Sequence, residues 1–485
     1  MRPLSWFLII MTPLLALAPS VVQAKSAEPT GAAEVWASDD PAALEIREMI
    51  RLGDHAGARS RLADERLSTE FRDSTLEILR RIERDYSRSP REMLEVLARH
   101  IPDVSEADLQ RWTEARQIQH RVIDGQTRYF RREPSNLWRF CDEAKSRRKS
   151  PATAPEEFEL VPHLEEVLRA TGEDPLVLPR RQEVTYTLTV PAKTPGMKSG
   201  SVLRVWLPFP QEYRTQRNIR VLDLSPPGGK ISPTWREGES GHEHRCVYFE
   251  HRVDDPTVDA VFSVRFAYDT GAWSPRLDSD LARPLPADWG EKYLTPRPPH
   301  LVLSPELREL AAKIVGNETN PLQTARRIFE FVSENVRYNA EEEYSIIPSL
   351  SEHALKRMRG DCGVQTMLFI GLCRAAGVPA RWQSGWTTTP VDWNMHDWAE
   401  FYVEPWGWLP ADVSFGPQKS DDPEVRWFYF GRQDAYRWIV NMDWGRDLTP
   451  PTGALRSEPA DFQRGEVELD GKNLYFDAWK WNVKF

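Results

Sequence analysis

The chain has little cysteine, no surplus of positive charge and, past its first two dozen residues, no long apolar run. Four cysteines in 485 residues are too few for a disulfide-built scaffold, so apolar packing must carry the fold. Lys and Arg number 63 against 73 Asp and Glu, a formal net charge of −10. That excludes the broad basic face that bulk binding to nucleic acid or anionic membrane needs. No segment after the leader has the roughly 20 continuous apolar residues of a membrane span. No cluster has metal-ligand spacing, and Gly241-His242-Glu243-His244 reads as a solvated turn. No Gly-rich phosphate loop precedes a helix, and there is no internal repeat.

What is present is a foldable chain with a leader. Hydrophobic residues make up 40% and charged residues 28%, enough apolar content for packed cores in about three domains. Arg2 precedes an apolar run from Trp6 to Leu17, and Val22-Gln23-Ala24 supplies small residues at −3 and −1. This reads as a secretory signal peptide over 1–24, leaving a mature N-terminus at Lys25 and an exported protein, periplasmic or extracellular. The alternative, an uncleaved anchor helix, is disfavoured by Pro13 and Pro19. No cysteine follows the cleavage point, which speaks against a lipid anchor there.

Residues 25–180 read as a mainly helical domain. Leu76, Leu79 and Ile82 recur at helical spacing, and Ser89-Pro90-Arg91-Glu92 and Ser105-Glu106-Ala107-Asp108 mark helix starts. Asp124-Gly125 between two strand-like runs signals a β-hairpin. Helices with a hairpin are also the ingredients of a winged DNA-binding module, but the leader and the acidic charge speak against nucleic acid. Residues 145–156 read as a loose linker. Over 181–272 the period changes to two, as in Val184, Tyr186, Leu188 and Val190, giving an antiparallel β-domain of sandwich type. Helical signals return after a proline-rich crossing, and residues 360–416, within a core over 290–420, carry the chemistry. Residues 421–485 alternate aromatic strand-like runs with polar turns and read as a C-terminal β extension.

The chemistry starts at Arg359-Gly360-Asp361-Cys362-Gly363. Gly360 permits a tight turn, Asp361 is a good N-cap, and a helix follows to Gly377 and Pro379. Cys362 falls at the first helical position, where unpaired N–H groups and the helix dipole favour a thiolate or an oxyanion. A lone cysteine is more often a small buried residue, and Cys373 fits that role. Cys373 lies about 16 Å along the helix from Cys362, too far to resolve it.

His396-Asp397-Trp398-Ala399-Glu400-Phe401-Tyr402-Val403 alternates as a strand, and Trp408-Leu409-Pro410-Ala411-Asp412 returns. A general base needs a partner that fixes its tautomer, and Asp412 can supply one across the hairpin. A turn centred on Glu404 would set 396 opposite 412. Asp412 would then accept the Nδ1–H of His396, with the ring within about 4 Å of the Cys362 sulfur.

Gly360-Asp361-Cys362 with its helix, Gly377-Val378-Pro379-Ala380-Arg381, His396-Asp397-Trp398-Ala399-Glu400 and Gly407-Trp408-Leu409-Pro410-Ala411-Asp412 together resemble the transglutaminase-like superfamily. The resemblance spans about 300–416. It implies an α+β chain whose papain-like transglutaminase core occupies 290–420, with the N-terminal helical domain and β-sandwich-like domain appended, as in exported bacterial multidomain members. It also implies Cys362 as nucleophile, His396 as base and Asp412 as the orienting acid. A side-chain donor upstream of the cysteine often completes the oxyanion hole in this family, and Tyr338 is the candidate. Asp397 departs from the pattern, which usually has a small or apolar residue there. Trp386 and Trp393 precede His396 and are candidate walls of a substrate cleft; most of the neighbouring tryptophans are expected to pack.

The reading is an exported thiol acyl-transfer enzyme acting on amide bonds of peptides or proteins through a thioester, with no cofactor, no metal and no membrane span after cleavage. Its rivals are a cysteine peptidase or amidase with water as acceptor, and a non-catalytic binding module that keeps the fold.

Overall fold

The computed structural model describes residues 32–149, 158–286 and 289–485. The leader and its cleavage point at Lys25 lie outside them. So does most of the expected 145–156 linker, whose first residues instead finish the helix Asp142–Arg147.

The N-terminal region packs short helices around two apolar clusters. Local chemistry sets their ends. Ser89 and Ser105 each form reciprocal capping boxes, with Glu92 and Asp108, satisfying donors that a helix start leaves orphaned. Asp124 and Gly125 both have positive φ (47° and 75°). That matches the twist of a two-residue hairpin turn between His120–Ile123 and Gln126–Tyr129.

The β-domain is two antiparallel sheets. One orders Lys480–Lys484, Leu176–Val190, Ala260–Trp273 and Arg217–Ser225. The other orders Lys472–Asn473, Glu466–Leu469, Val202–Pro208, Cys246–Arg252 and Lys230–Ile231. Their inward residues, among them Val184, Tyr186, Val205, Phe249 and Phe266, share one core. Chain from 421–485 supplies strands to both sheets and also a strand of the core sheet. The 241–244 turn is solvated only at its start, since Gly241 is exposed while Glu243 and His244 are buried. His244 is buried, bonded through Nε2 to the Asp443 carbonyl (2.9 Å) and stacked on Phe462, because residue 244 bridges to Asn441 of the core sheet.

The core is α+β. Four antiparallel strands run in the order Gly407–Ala411, Trp393–Val403, Ala380–Thr388, Arg437–Asn441. Ala399, Phe401 and Val403 face the helix Cys362–Ala375 and its neighbours Pro305–Val315 and Pro321–Asn335. Trp386, Trp438 and Val440 join the β-domain core, so one sheet serves two hydrophobic layers. Among the described residues no helix is long and apolar enough to cross a membrane.

Candidate active site

Cys362 is the first residue of its helix, and the Asp361 side chain caps it by accepting the Val364 N–H (3.2 Å). Two glycines allow this helix start to be approached closely. A Cβ on Gly360 would meet the Val364 side chain at 2.4 Å, and one on Gly363 would meet Tyr344 Oη at 2.2 Å and Asp397 Oδ2 at 2.7 Å. Arg359–Gly360 also pairs in parallel with Arg337–Tyr338, which brings Tyr338 beside the thiol end of the helix.

The strand Trp393–Val403 delivers two adjacent residues to opposite faces. Asp397, on the side of Ala399 and Phe401, meets the helix. The Cys362 thiol donates to Asp397 Oδ2 at 3.4 Å. Tyr344 Oη donates to Asp361 Oδ1 at 2.7 Å and lies 3.3 Å from Asp397 Oδ2. Gln463 Nε2 donates to Asp397 Oδ1 at 2.9 Å. His396 projects to Trp398 and Phe415, at ring-centroid distances of 5.9 and 4.7 Å. Its Nε2 donates to Asp412 Oδ2 at 2.7 Å. Arg437 Nη1 donates to the same oxygen at 2.8 Å and is itself held by Asp434.

The nitrogen bonded to Asp412 is Nε2, not the expected Nδ1, and the register explains the change. The ladder pairs Val403 with Gly407 and Ala399 with Ala411, so the turn centres on Pro405 rather than Glu404. Asp412 therefore continues opposite Trp398 and lies diagonally from His396. A diagonal neighbour is about 7–8 Å away, against about 4.5–5.5 Å for a direct one, so the distal ring nitrogen spans the gap. The shift is two residues in pairing and keeps Asp412 on the His396 face. With Nε2–H donated to Asp412, Nδ1 is the ring atom left to act as base. The thiol's hydrogen bond goes to Asp397, and among the described residues none joins it to His396.

Electrostatics divide the site in two. Burial opposes ionisation of Asp412, yet the His396 and Arg437 charges hold its carboxyl well below the usual carboxylate range. On the other face, burial and the neighbouring Asp361 push Asp397 up to about 8. Burial and Glu341 push Asp361 up to about 7. Burial, then the Asp397 and Asp361 charges, push the Cys362 thiol well above its ordinary value. The helix start was expected to favour a thiolate; the adjacent carboxyls and the loss of water outweigh it here.

A cavity of about 150 Å³ opens over Cys362, lined also by Tyr338, Tyr344, Asn394, Asp397 and Asp461. Tyr338 is 46% exposed. It also borders a larger groove of about 1050 Å³ between the helical region and the core. Neither tryptophan proposed as a cleft wall lines either cavity. Trp386 is fully buried, stacked on Trp438 at 5.9 Å inside the β-domain core. Trp393 is 39% exposed but packs on Trp386 and Phe485. The strand Arg437–Asn441 pairs beside Trp386 and seals it, while Trp393, one strand further on, packs against Trp386 and Phe485. Asn394 and Met395 border the thiol cavity instead. Tyr344, Arg437, Asp461 and Gln463 were not anticipated. They come from chain distant in sequence, and no spacing rule links them to Cys362; only the misfit Asp397 hinted at a further partner.

A Haemophilus influenzae protein of uncharacterized function is 24% identical over 303 residues, covering 53% of this chain and 76% of that protein. Among solved structures, a suspected cysteine protease from Cytophaga hutchinsonii is 17% identical and covers 63% of this chain and 92% of its own, with a TM-score of 0.36. The periplasmic domain of TgpA from Pseudomonas aeruginosa is 13% identical, covering 55% and 94%, with a TM-score of 0.24. Residues 308–413, the stretch that holds Cys362, His396 and Asp412, match the family model of the transglutaminase-like superfamily.

Proposed function

We propose that the protein is an exported thiol acyl-transfer enzyme acting on amide bonds of peptides or proteins. In this reading Cys362 is the nucleophile, His396 the general base and Asp412 the group that orients it. The observation that carries it is the Asp412–His396 hydrogen bond of 2.7 Å, on the strand next to a cysteine that opens both a helix and a cavity. Asp412 and Arg437 fix the Nε2–H tautomer, and Nδ1 is the atom that takes the thiol proton once ring and thiol meet, since in the structure the thiol bonds Asp397 on the opposite face of the strand. The thiol rests un-ionised against Asp397. Proton transfer to His396 accompanies attack, and the imidazolium then protonates the leaving amine. A thioester on Cys362 follows, which an amine or water resolves. Tyr338, at the cavity edge, is the candidate donor to the oxyanion.

The test is to incubate the protein and its Cys362→Ser variant with a peptide mixture and a primary amine, and to analyse products by mass spectrometry. Cross-linking, deamidation or cleavage that depends on Cys362 supports the reading, and the product identifies the acceptor. Absence of all three with a folded protein favours a binding module. Sequencing of the mature N-terminus tests export: a start at Lys25 is expected, and a start at Met1 in a membrane fraction contradicts it.

A further inference from the structure

The cavity over Cys362 contains more carboxyls than the chain compensates. Glu342 pairs with Arg121. Glu343 pairs with Arg131, Arg132 and Arg464. Glu458 pairs with Arg464. Asp361 and Asp397 hold Tyr344, Gln463 and the thiol. Asp461 is left over. It is 5% exposed and lines the cavity. Its backbone carbonyl accepts from Arg456 (2.6 Å), but among the described residues its carboxyl has no hydrogen bond and no cation. A buried carboxylate without a partner is costly unless it holds a proton or meets a charge from outside.

We propose that Asp461 anchors a cation subsite beside Cys362, and that this subsite takes the ammonium group of a primary amine carried by the substrate. This rests on the thiol reading above only for what reacts with the bound molecule. A cavity of this size accommodates a ligand of about six heavy atoms, the length of an alkylammonium arm. Tyr338 and Tyr344 also line it, and aromatic rings suit a cation, as Arg139 over the Tyr338 ring already illustrates. Burial and the neighbouring Glu458 and Asp397 raise the Asp461 carboxyl well above its ordinary value, while Arg464 and Arg456 only partly oppose them. An incoming ammonium relieves that repulsion. Two carriers share this chemistry: the acyl donor, with its ammonium near the amide, and the acceptor amine itself.

The experiment compares n-pentylammonium chloride with pentan-1-ol at matched ionic strength, on the intact protein and on Asp461→Asn. Expected are a rise in Tm with pentylammonium alone, and its loss in Asp461→Asn. In parallel, peptide mapping follows modification of Cys362 by cationic aminoethyl methanethiosulfonate and anionic sulfonatoethyl methanethiosulfonate. The cationic reagent should be favoured, relative to a free-thiol reference, and Asp461→Asn should reduce that preference about tenfold. Equal Tm shifts with both probes, or a preference unchanged by the substitution, overturns the subsite. Should Asp461→Asn fail to fold, the comparison of the two probes on the unaltered protein still decides. A thiol inert to every reagent counts against the nucleophile reading alone, because the Tm shift reads the cation without it. Pentylamine incorporated into a Cys362-dependent product marks an acceptor site; stabilisation without incorporation marks a donor-side site. Either one supports the subsite.

Discussion

Asp397 is the residue at which this site departs most from its resemblance. It takes the place of a small side chain and puts a carboxyl 3.4 Å from the thiol. Its proximity is one reason the thiol pKa is raised, so removing the charge should make Cys362 easier to ionise. Asp397→Asn is therefore expected to speed iodoacetamide labelling of Cys362 at pH 8–9, by about threefold to tenfold. An unchanged rate would show that the carboxyl does not govern the thiol. The two helix cysteines should behave differently. Cys362→Ser is expected to abolish turnover at an unchanged Tm, because a hydroxyl needs far more activation than a thiol. Cys373, fully buried among apolar side chains, should cost about 1–3 kcal/mol on change to Ser and leave chemistry intact. Turnover assays paired with thermal melts separate the two.

At the scale of elements, the site is a junction between a helix start and a β-hairpin, and its stability should carry the mark of that junction. Asp361 and Asp397 have folded pKa values raised to about 7 and about 8, above the roughly 3.9 of an unfolded Asp. Below pH about 4 both states hold these protons. Between about 4 and 8 the unfolded chain releases protons that the folded one keeps, so stability falls as pH rises through this window. Asp397→Asn should flatten part of that fall, read as Tm against pH; parallel curves for the two proteins would contradict it. Gly363→Ala should cost about 1–3 kcal/mol, since its Cβ would strike Tyr344 and Asp397. The helix, its Asp361 cap and the hairpin were legible in sequence because each rests on short-range rules: a cap, a period of two, a turn. The nitrogen facing Asp412 was not, because one residue of turn placement moves the pairing by two. The burial of Trp386 and His244 was not legible either, since both are sealed by the strand Arg437–Asn441, which lies roughly 50 to 200 residues away in sequence.

At the scale of the whole molecule, distant chain closes the structure around the site. Three consecutive glutamates, Glu341, Glu342 and Glu343, would ordinarily mark a solvated face, yet all are buried against cations. Glu341 pairs within the core, with His353 and Arg357, whereas Glu342 and Glu343 join the helical region to the core, met by Arg121 and Arg131 from across the junction. Local patterning cannot report this, because the partners lie about 200 residues away. The C-terminal strands are equally integral. Deleting 466–485 would remove the buried Val467, Leu469, Trp479 and Val483 from the core of the β-domain, and Tyr475 from beneath Arg81 of the helical region. At about 1.5–3 kcal/mol for each side chain, the loss rivals the whole stability of a typical domain, about 5–15 kcal/mol. The truncated protein is expected not to fold, as read by loss of a cooperative melt; a melt within a few degrees of the full chain would show that these strands are dispensable.

The central claim is that His396, oriented by Asp412, activates Cys362. The most direct measurement is the rate of Cys362 carboxamidomethylation by iodoacetamide against pH, followed by peptide mapping, in the unaltered protein and in folded His396→Ala. The account predicts Cys362 labelling at pH 8–9 that drops about tenfold or more in His396→Ala, with the buried Cys141, Cys246 and Cys373 unlabelled in both. Identical pH–rate profiles for the two proteins would contradict it.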